Sequence, residues 1–402
     1  MAFFNPFRPA YLEDPYPVLA RLRNDEPVHW SPDVDAWIVT RYADCLHILQ
    51  DDETFTSDPT AVESAFAAEV REKRRHVPLG GAVLMGNSDP PDHTRLRAIV
   101  NRGFTPRVIE AMAPPIERSA AALLEELEPL EACNVIARFA EPLAVSNILQ
   151  HLGIPREDFG RFRAWSLALM RARAEGASAP GVVDAATQAQ AEMFEFLAAI
   201  AAQREASDAE TPVDVLSVLI AASDDESIRP EEMMMMLIHI SLAGNGPTSM
   251  AIGNAIAALG NHPEAQAALR ENPALIPAAI EELFRFDSST HFVARWARTD
   301  VVLGKRTLRA GQQVHVMVGA ANRDPERFSN PDSLEIERSD NRHLSFGFGI
   351  HFCLGAPLAR LELRIALERF LAHVGPYEVV AAQRVPNYQL HGFQHLQIRQ
   401  AT

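Results

Sequence analysis

The sequence predicts a mainly α-helical fold with small β-sheets set into it. Three observations carry that expectation. From about residue 41 to 285, Ala, Leu, Glu and Arg recur at helical spacing, as in "AAALLEELEPL" and "AEMFEFLAAIAAQRE". Strand-like runs are confined to short stretches near 28–40, 292–320 and the C-terminus. No low-complexity linker and no internal repeat divides the chain, so a single domain over 1–402 is expected.

The elements follow in order. Residues 28–40, "VHWSPDVDAWIVT", read as two short strands around a Pro-Asp turn. The helical body, 41–285, includes one long apolar stretch, "EEMMMMLIHISLAGNGPTSMAIGNAIAALGNHPEAQ". It reads as a buried helix, yet "AGNGPTS" places two glycines and a proline inside it. An interior glycine costs roughly 1 kcal/mol against alanine and an interior proline roughly 3, so the interruption must serve something. Strand patterns return in "FVARWA", "VVLGKRTL" and "QQVHVMVGAA", followed by a proline-bearing loop, "NRDPERFSNPD". A further helix is expected over 354–374, and "YEVV" and "HLQIR" close the chain as short strands.

Composition excludes several roles. The chain has 402 residues, 47% hydrophobic and 22% charged, which is ordinary for a soluble globular protein. Its net charge of −16 argues against nucleic acid, because phosphate binding needs a basic surface. The N-terminus, "MAFFNPFRPAYLEDPYP", has no cationic flank and no long apolar run, so neither a signal nor an anchor is expected. The run 233–260 is the membrane candidate, and His239, Asn245, Gly246, Pro247 and Asn254 make a buried helix the expectation instead. Cys45, Cys133 and Cys353 form no CxxC pair and no disulfide framework, which fits a reducing cytoplasm. Cys45 and Cys133 read as core or structural residues.

Cys353 reads differently. It lies in "FGFGIHFCLG", 346–355, after a glycine-rich loop and directly before a helix. Backbone N–H groups and the helix dipole there favour thiolate over thiol. A lone loop thiolate suits one axial ligand on haem iron. A buried cysteine beside a glycine-rich loop, or a nucleophilic thiol, would share the same local pattern.

The wider string, "HLSFGFGIHFCLGAPLARLE", closely resembles the haem-binding signature of the cytochrome P450 family, with Phe346, Gly347, Gly349, Cys353 and Gly355 at the signature spacing. The resemblance implies a cytochrome P450 fold, with haem b between a long kinked distal helix and a proximal loop–helix. Cys353 would be the axial thiolate, with Phe346 packed beside the sulfur. Other landmarks occur in the family's order. "EELFR" holds Glu282 and Arg285 at i, i+3 and resembles the family's structural ExxR ion pair. "SDPPDHTRLRAIVNRGFTP" resembles the helix over one haem edge, where His93 and Arg97 stand at i, i+4. Arg295 and His351 fall at the family's other propionate positions. The size and bare N-terminus resemble the soluble bacterial branch, which implies ferredoxin and ferredoxin reductase as electron donors and no membrane.

"AGNGPTS" departs from the resemblance. The family's distal helix reads Ala/Gly-Gly-x-Asp/Glu-Thr, and the acid and alcohol relay protons to dioxygen. Here Ala243 and Gly244 match as cofactor-binding positions, and Asn245 fills the variable place. Gly246 stands for the acid and Pro247 for the threonine, and neither side chain can donate a proton. Pro247 also deprives the carbonyl of Ala243 of its helical partner, which predicts a kink with room for water. Asn245, Thr248, Ser249, ordered water or a substrate hydroxyl remain as proton donors. Thr248 is turned about 100° from the expected face.

An oxygenase acting on a small or mid-sized apolar molecule is the leading expectation, with protons from substrate or water. A peroxygenase is the alternative, although the family's fatty-acid peroxygenases carry an arginine where this chain has Gly246. A haem-binding sensor or carrier without turnover is the third. The resemblance places the substrate pocket at Leu242, Asn245 and the segment with Thr290, His291, Phe292 and Val293.

Overall fold

The computed structural model describes residues 4–75, 83–127, 133–175, 181–206, 214–224 and 227–401. The chain forms two compact units. One comprises Met1–Ser64, Ala113–Leu143 and Gly246–Thr402; the other comprises Ala65–Met112 and Ala144–Asn245. The divisions at 143/144 and 245/246 fall inside helices, Glu141–Leu152 and Pro230–Gly260. For that reason no linker composition marks them in the sequence.

Among the described residues, the nine strands all lie in the first unit: β1 Val28–Ser31, β2 Ala36–Val39, β3 Phe55–Thr56, β4 Val293–Ala297, β5 Val301–Leu303, β6 Arg306–Leu308, β7 Gln313–Val316, β8 Tyr377–Arg384 and β9 Phe393–Gln400. β1 and β2 flank the Pro-Asp turn as expected. The main sheet runs in the order β1-β2-β7-β4-β3. β2 lies parallel to β7, with Ala36 opposite Gln313, and β4 is antiparallel to β7, with Arg295 opposite Val314. β2 is buried at all four positions, which fits an interior strand covered on both faces. Val39, Phe55, Val314 and Val316 pack with Cys45, Ile48 and Leu49 of the helix Tyr42–Gln50. Two-stranded sheets pair β5 with β6 and β8 with β9.

In the same unit an ion pair is sealed from water. The helix Ile276–Phe286 carries Glu282 and Arg285, both fully buried, and Arg285 donates to the carboxylate at 2.7 and 2.8 Å. Glu282 also accepts from the Glu335 amide at 2.9 Å, Arg338 Nε at 3.0 Å and Asn341 Nδ2 at 3.1 Å. Arg285 spends its remaining N–H groups on the carbonyls of Asn322, Pro331 and Ser333. Two charges are thereby buried with nearly every donor and acceptor satisfied, the condition under which desolvation is offset. An irregular loop, 322–341, is tied to one helix.

The second unit is helical in its described residues. The helix Asp92–Val100 is held to the start of Pro230–Gly260 by Arg95, which donates to Glu232 at 2.7 Å. Glu232 is fully buried, and Arg229 also donates to it at 2.9 Å. The long helix starts at a proline with acids in its first turn, both favoured there. It continues to Gly260 with Pro247 inside it, so the apolar pattern outweighs the breakers. Among the described residues, no helix is long and apolar enough to cross a membrane.

Glu282→Gln removes one charge and leaves Arg285 buried beside a neutral amide. Such a break costs about 3–5 kcal/mol. Urea unfolding of the purified variant should show that loss, with Arg285→Lys also strongly destabilised because a single ammonium cannot reach the same three carbonyls. A change under about 1 kcal/mol in both would show that the network is not what holds the loop.

Candidate functional site

Backbone geometry sets the position of Cys353. Gly347 and Gly349 both sit at φ +70°, a left-handed conformation that glycine adopts without steric cost. Gly349 has a second reason to be glycine: a Cβ there would lie 2.4 Å from the carbonyl oxygen of Leu49. The helix Tyr42–Gln50 thus touches the loop backbone directly. The loop closes where the Cys353 amide donates to the Phe346 carbonyl at 2.8 Å and the Phe352 amide to Gly349 at 3.1 Å. The helix Ala356–Val374 follows at once. Cys353 is exposed, whereas Cys45 and Cys133 are buried. Phe348, Ile350 and Phe352, just before it in the chain, are 41%, 36% and 38% exposed, so the loop that carries the sulfur is apolar as well as accessible.

Side chains hold the loop from behind. The ring of Phe346 packs 4.8 Å from Phe284 and lies 4.6 Å beneath the Arg360 guanidinium. Arg360 in turn grips Glu281 with two bonds, 2.7 and 2.8 Å, and His343 lies 3.3 Å from the same carboxylate. Burial raises the Glu281 carboxyl, but Arg360 and His343 outweigh it and hold it down at about 2. Asn322 fixes the approach to the loop. It donates to Ser288 and Ser345 at 2.8 Å each and accepts from the Leu344 amide at 2.7 Å.

Arg295 and His351 belong to the same unit as Cys353. Arg295 is 8% exposed on β4 and donates to the Ala294 carbonyl, and His351 ends the short turn Gly349–His351, partly buried. His93 and Arg97 share the helix Asp92–Val100 of the other unit, with His93 buried and Arg97 partly so.

The long helix shows one accessible stripe. Ala243 is exposed, and Leu242, Gly244 and Pro247 are partly so, while Asn245, Thr248 and Ser249 are buried at 6%, 9% and 7%. At Gly244 a Cβ would fall 2.4 Å from Ile148 Cγ1, so its missing side chain admits the helix Glu141–Leu152. Gly253 admits Ile136 in the same way, at 2.5 Å.

Two of the expected pocket residues are also spent elsewhere. Phe292 is buried in a core cluster with Tyr11, Leu19 and Met317 and stacks on His315 at 4.1 Å. His291 is 1% exposed and packs on His391 with ring centroids 4.3 Å apart. Their side chains serve packing, which leaves Thr290 and Val293 partly accessible in that segment.

Sequence reasoning missed the cluster around Asp287. Its carboxylate takes bonds from Tyr16 and Arg384, each at 2.9 Å, with His391 3.3 Å away. Asn254 of the long helix donates to the carbonyls of Asp287 and His391. Burial would raise Asp287, and the surrounding cations reverse this and keep it ionised. The two guanidinium-bearing residues nearby, Arg384 and Arg323, speak against a metal ion among Asp287, His291 and His391.

The residues present fit a haem. An exposed cysteine at the end of a left-handed glycine loop with exposed apolar side chains offers a sulfur ligand and an apolar surface for the macrocycle.

Known proteins share this arrangement. The family model for Cytochrome P450 matches residues 182–374. The chain is 34% identical over 387 residues to the polyketide biosynthesis cytochrome P450 PksS of Bacillus subtilis, covering 94% of this chain and 93% of that protein. It is 35% identical over 389 residues to nocardicin C N-oxygenase of Nocardia uniformis, covering 95% and 94%. The crystal structure of CalO2 superposes with a TM-score of 0.91 at 29% identity, over 100% of this chain and 99% of that one. P450BioI in complex with hexadec-9Z-enoic acid ligated acyl carrier protein gives 0.86 at 30% identity, over 98% and 99%.

Glu281 yields a pH prediction. Its carboxyl is held below the ordinary 4.5, so its stabilisation is present above about pH 4.5 and is lost as pH falls toward 2. Arg360→Ala should lower stability at neutral pH by roughly 1–2 kcal/mol and flatten the acid limb, with the two proteins converging near pH 2. Denaturant midpoints across that range check it, and parallel acid limbs would remove Arg360 as the cause.

Proposed function

This chain belongs to the cytochrome P450 family and is a haem b monooxygenase; from that premise we propose that it oxidises a small or mid-sized apolar molecule, drawing its protons from substrate or water. One observation carries this reading. Gly246 and Pro247 stand where the family carries its acid and alcohol, and neither has a transferable side-chain proton.

The bound haem supplies dioxygen activation and transfer of one oxygen atom to the substrate. This chain's residues have narrower tasks. Cys353 ligates the iron, and Phe346, pinned under Arg360, steadies the loop that presents it. Arg295, His351, His93 and Arg97 hold the propionates through charge-assisted bonds. Ala243, exposed between the partly exposed Leu242 and Gly244, would leave space for a distal ligand. Pro247 has no N–H to donate to the Ala243 carbonyl, which is left to accept from water. Leu242, Thr290 and Val293 contribute to the substrate wall. An apolar substrate is supported by the names of similar proteins, one from polyketide biosynthesis and one in complex with a fatty acyl carrier protein. Ferredoxin and ferredoxin reductase are the proposed electron donors.

The same gap in the relay favours a second reading, turnover with hydrogen peroxide, which brings its own protons and electrons.

Cys353→Ser should abolish the red-shifted Soret band of the reduced carbon monoxide complex, and a retained band would sink the ligand assignment. Single alanine changes at Arg295, His351, His93 and Arg97 should speed haem loss to apomyoglobin without moving that band. Unchanged retention in all four would count against the propionate roles.

Coupling tests the proton source. Product per NADH should fall about tenfold or more for a substrate analogue lacking its nearest hydroxyl, while peroxide-driven turnover holds. The double change Gly246→Asp, Pro247→Thr should restore coupling for that analogue more than for the parent substrate. Equal coupling on both substrates by the wild type would instead place the donor among the protein's own side chains.

A further inference from the structure

The helix Glu141–Leu152 carries two polar residues that no protein group satisfies. Asn147 is fully buried, and neither its Oδ1 nor its Nδ2 has a hydrogen-bond partner. His151, one turn later, is 1% exposed, and its Nε2 is equally unpartnered. Buried amides and imidazoles are bonded in nearly all native structures, to protein or to ordered water. Two such residues at i, i+4 on one face are therefore a built polar site and not scattered exceptions.

Their position gives the site a role. Ala144, Asn147, Ile148 and His151 share one helix face, and all are buried. Ile148 occupies the space that a Gly244 side chain would take, with its Cβ 3.1 Å from the Cβ position. Asn147 and His151 thus flank the contact with the long helix at the turn of Ala243 and Gly244. That is the turn whose carbonyl loses its helical donor to Pro247. Phe104 closes the other side of His151, ring centroids 4.7 Å apart. The backbone of Gly103 bonds the ring, and burial, the larger effect, holds the imidazole down at about 4 and hence neutral. With one ring nitrogen donating to that backbone, Nε2 is left as a bare acceptor.

We infer that Asn147 and His151 form an internal water-binding site behind the open turn of the long helix, and that water held there supplies the polar route that Gly246 and Pro247 do not. One water accepts from Asn147 Nδ2 and donates to His151 Nε2, and the amide oxygen takes a second. Gly244 makes the approach possible, because any side chain there would drive the two helices apart. Asn147 and His151 are positioning residues in this scheme, since they orient water without touching the substrate. The inference rests on the reading that protons come from water or substrate.

A high-resolution crystal structure of the haem-loaded protein is the direct test. Ordered water within 3.2 Å, roughly, of both Asn147 and His151 Nε2 is expected. A dry site, or an amide bonded to protein, overturns the inference. Function is read in parallel with the ferredoxin system. Asn147→Leu should lower product per NADH about fivefold with haem content and the carbon monoxide band unchanged. Asn147→Ser, which keeps a hydroxyl and room for water, should stay within about twofold of wild type. Should Asn147→Leu fail to load haem, His151→Phe fills the same face and gives the same reading. Full coupling in a haem-loaded apolar variant overturns the role even if water is seen. The deoxy-analogue experiment separates this from the substrate-assisted scheme: equal coupling on both substrates with a deficit in Asn147→Leu removes the substrate hydroxyl and leaves this site standing.

Discussion

Everything around the cysteine depends on one buried ion pair. Glu282 and Arg285 are sealed from solvent and bonded to each other, and their remaining donors and acceptors run outward to the loop 322–341. Neither charge could stay buried alone, because several kcal/mol of desolvation would go uncompensated. The loop carbonyls of Asn322, Pro331 and Ser333 are in the same position, since a buried loop without helical or sheet partners must find donors. Each side therefore requires the other. Asn322 then passes the constraint on to Leu344 and Ser345, directly ahead of the cysteine loop.

Glu281 next to that pair works on a different face of the same helix. It pulls in Arg360 from the helix after Cys353, and Arg360 lies on Phe346. Two adjacent acids thus fix the two ends of the loop that carries the sulfur. Glu282 secures the entry and Glu281 the exit. Such double anchoring keeps a glycine-rich backbone in one conformation, although glycine itself prefers none.

Legibility in the sequence followed range. The cysteine loop and the ExxR pair were readable because their chemistry lies within a few contiguous residues. The long helix was readable because its apolar pattern outlasts one proline. The packing reason for Gly244 was not legible, since the residue that requires it, Ile148, lies almost a hundred positions earlier. Gly349 carries the same lesson, with its reason in the carbonyl of Leu49. Phe292 and His291 look like pocket walls in one dimension, yet their partners Tyr388 and His391 come from the far C-terminal segment. Nothing local announces that Ala36 pairs in parallel with Gln313.

The first unit is assembled from three separated stretches of chain, and the second is finished in sequence by Asn245. On the ribosome, order of appearance becomes order of opportunity. β1 and β2 emerge early, but β2 is buried at every position only once β7 lies beside it, and β7 begins at Gln313. Until then the nascent hairpin presents an apolar, unpaired edge, the kind of surface that recruits chaperones or wrong partners. The second unit has meanwhile left the ribosome in full. A ribosome that stalls between Asn245 and Gln313 would release a chain with every residue of one unit and an open main sheet in the other, and it would lack Cys353 altogether.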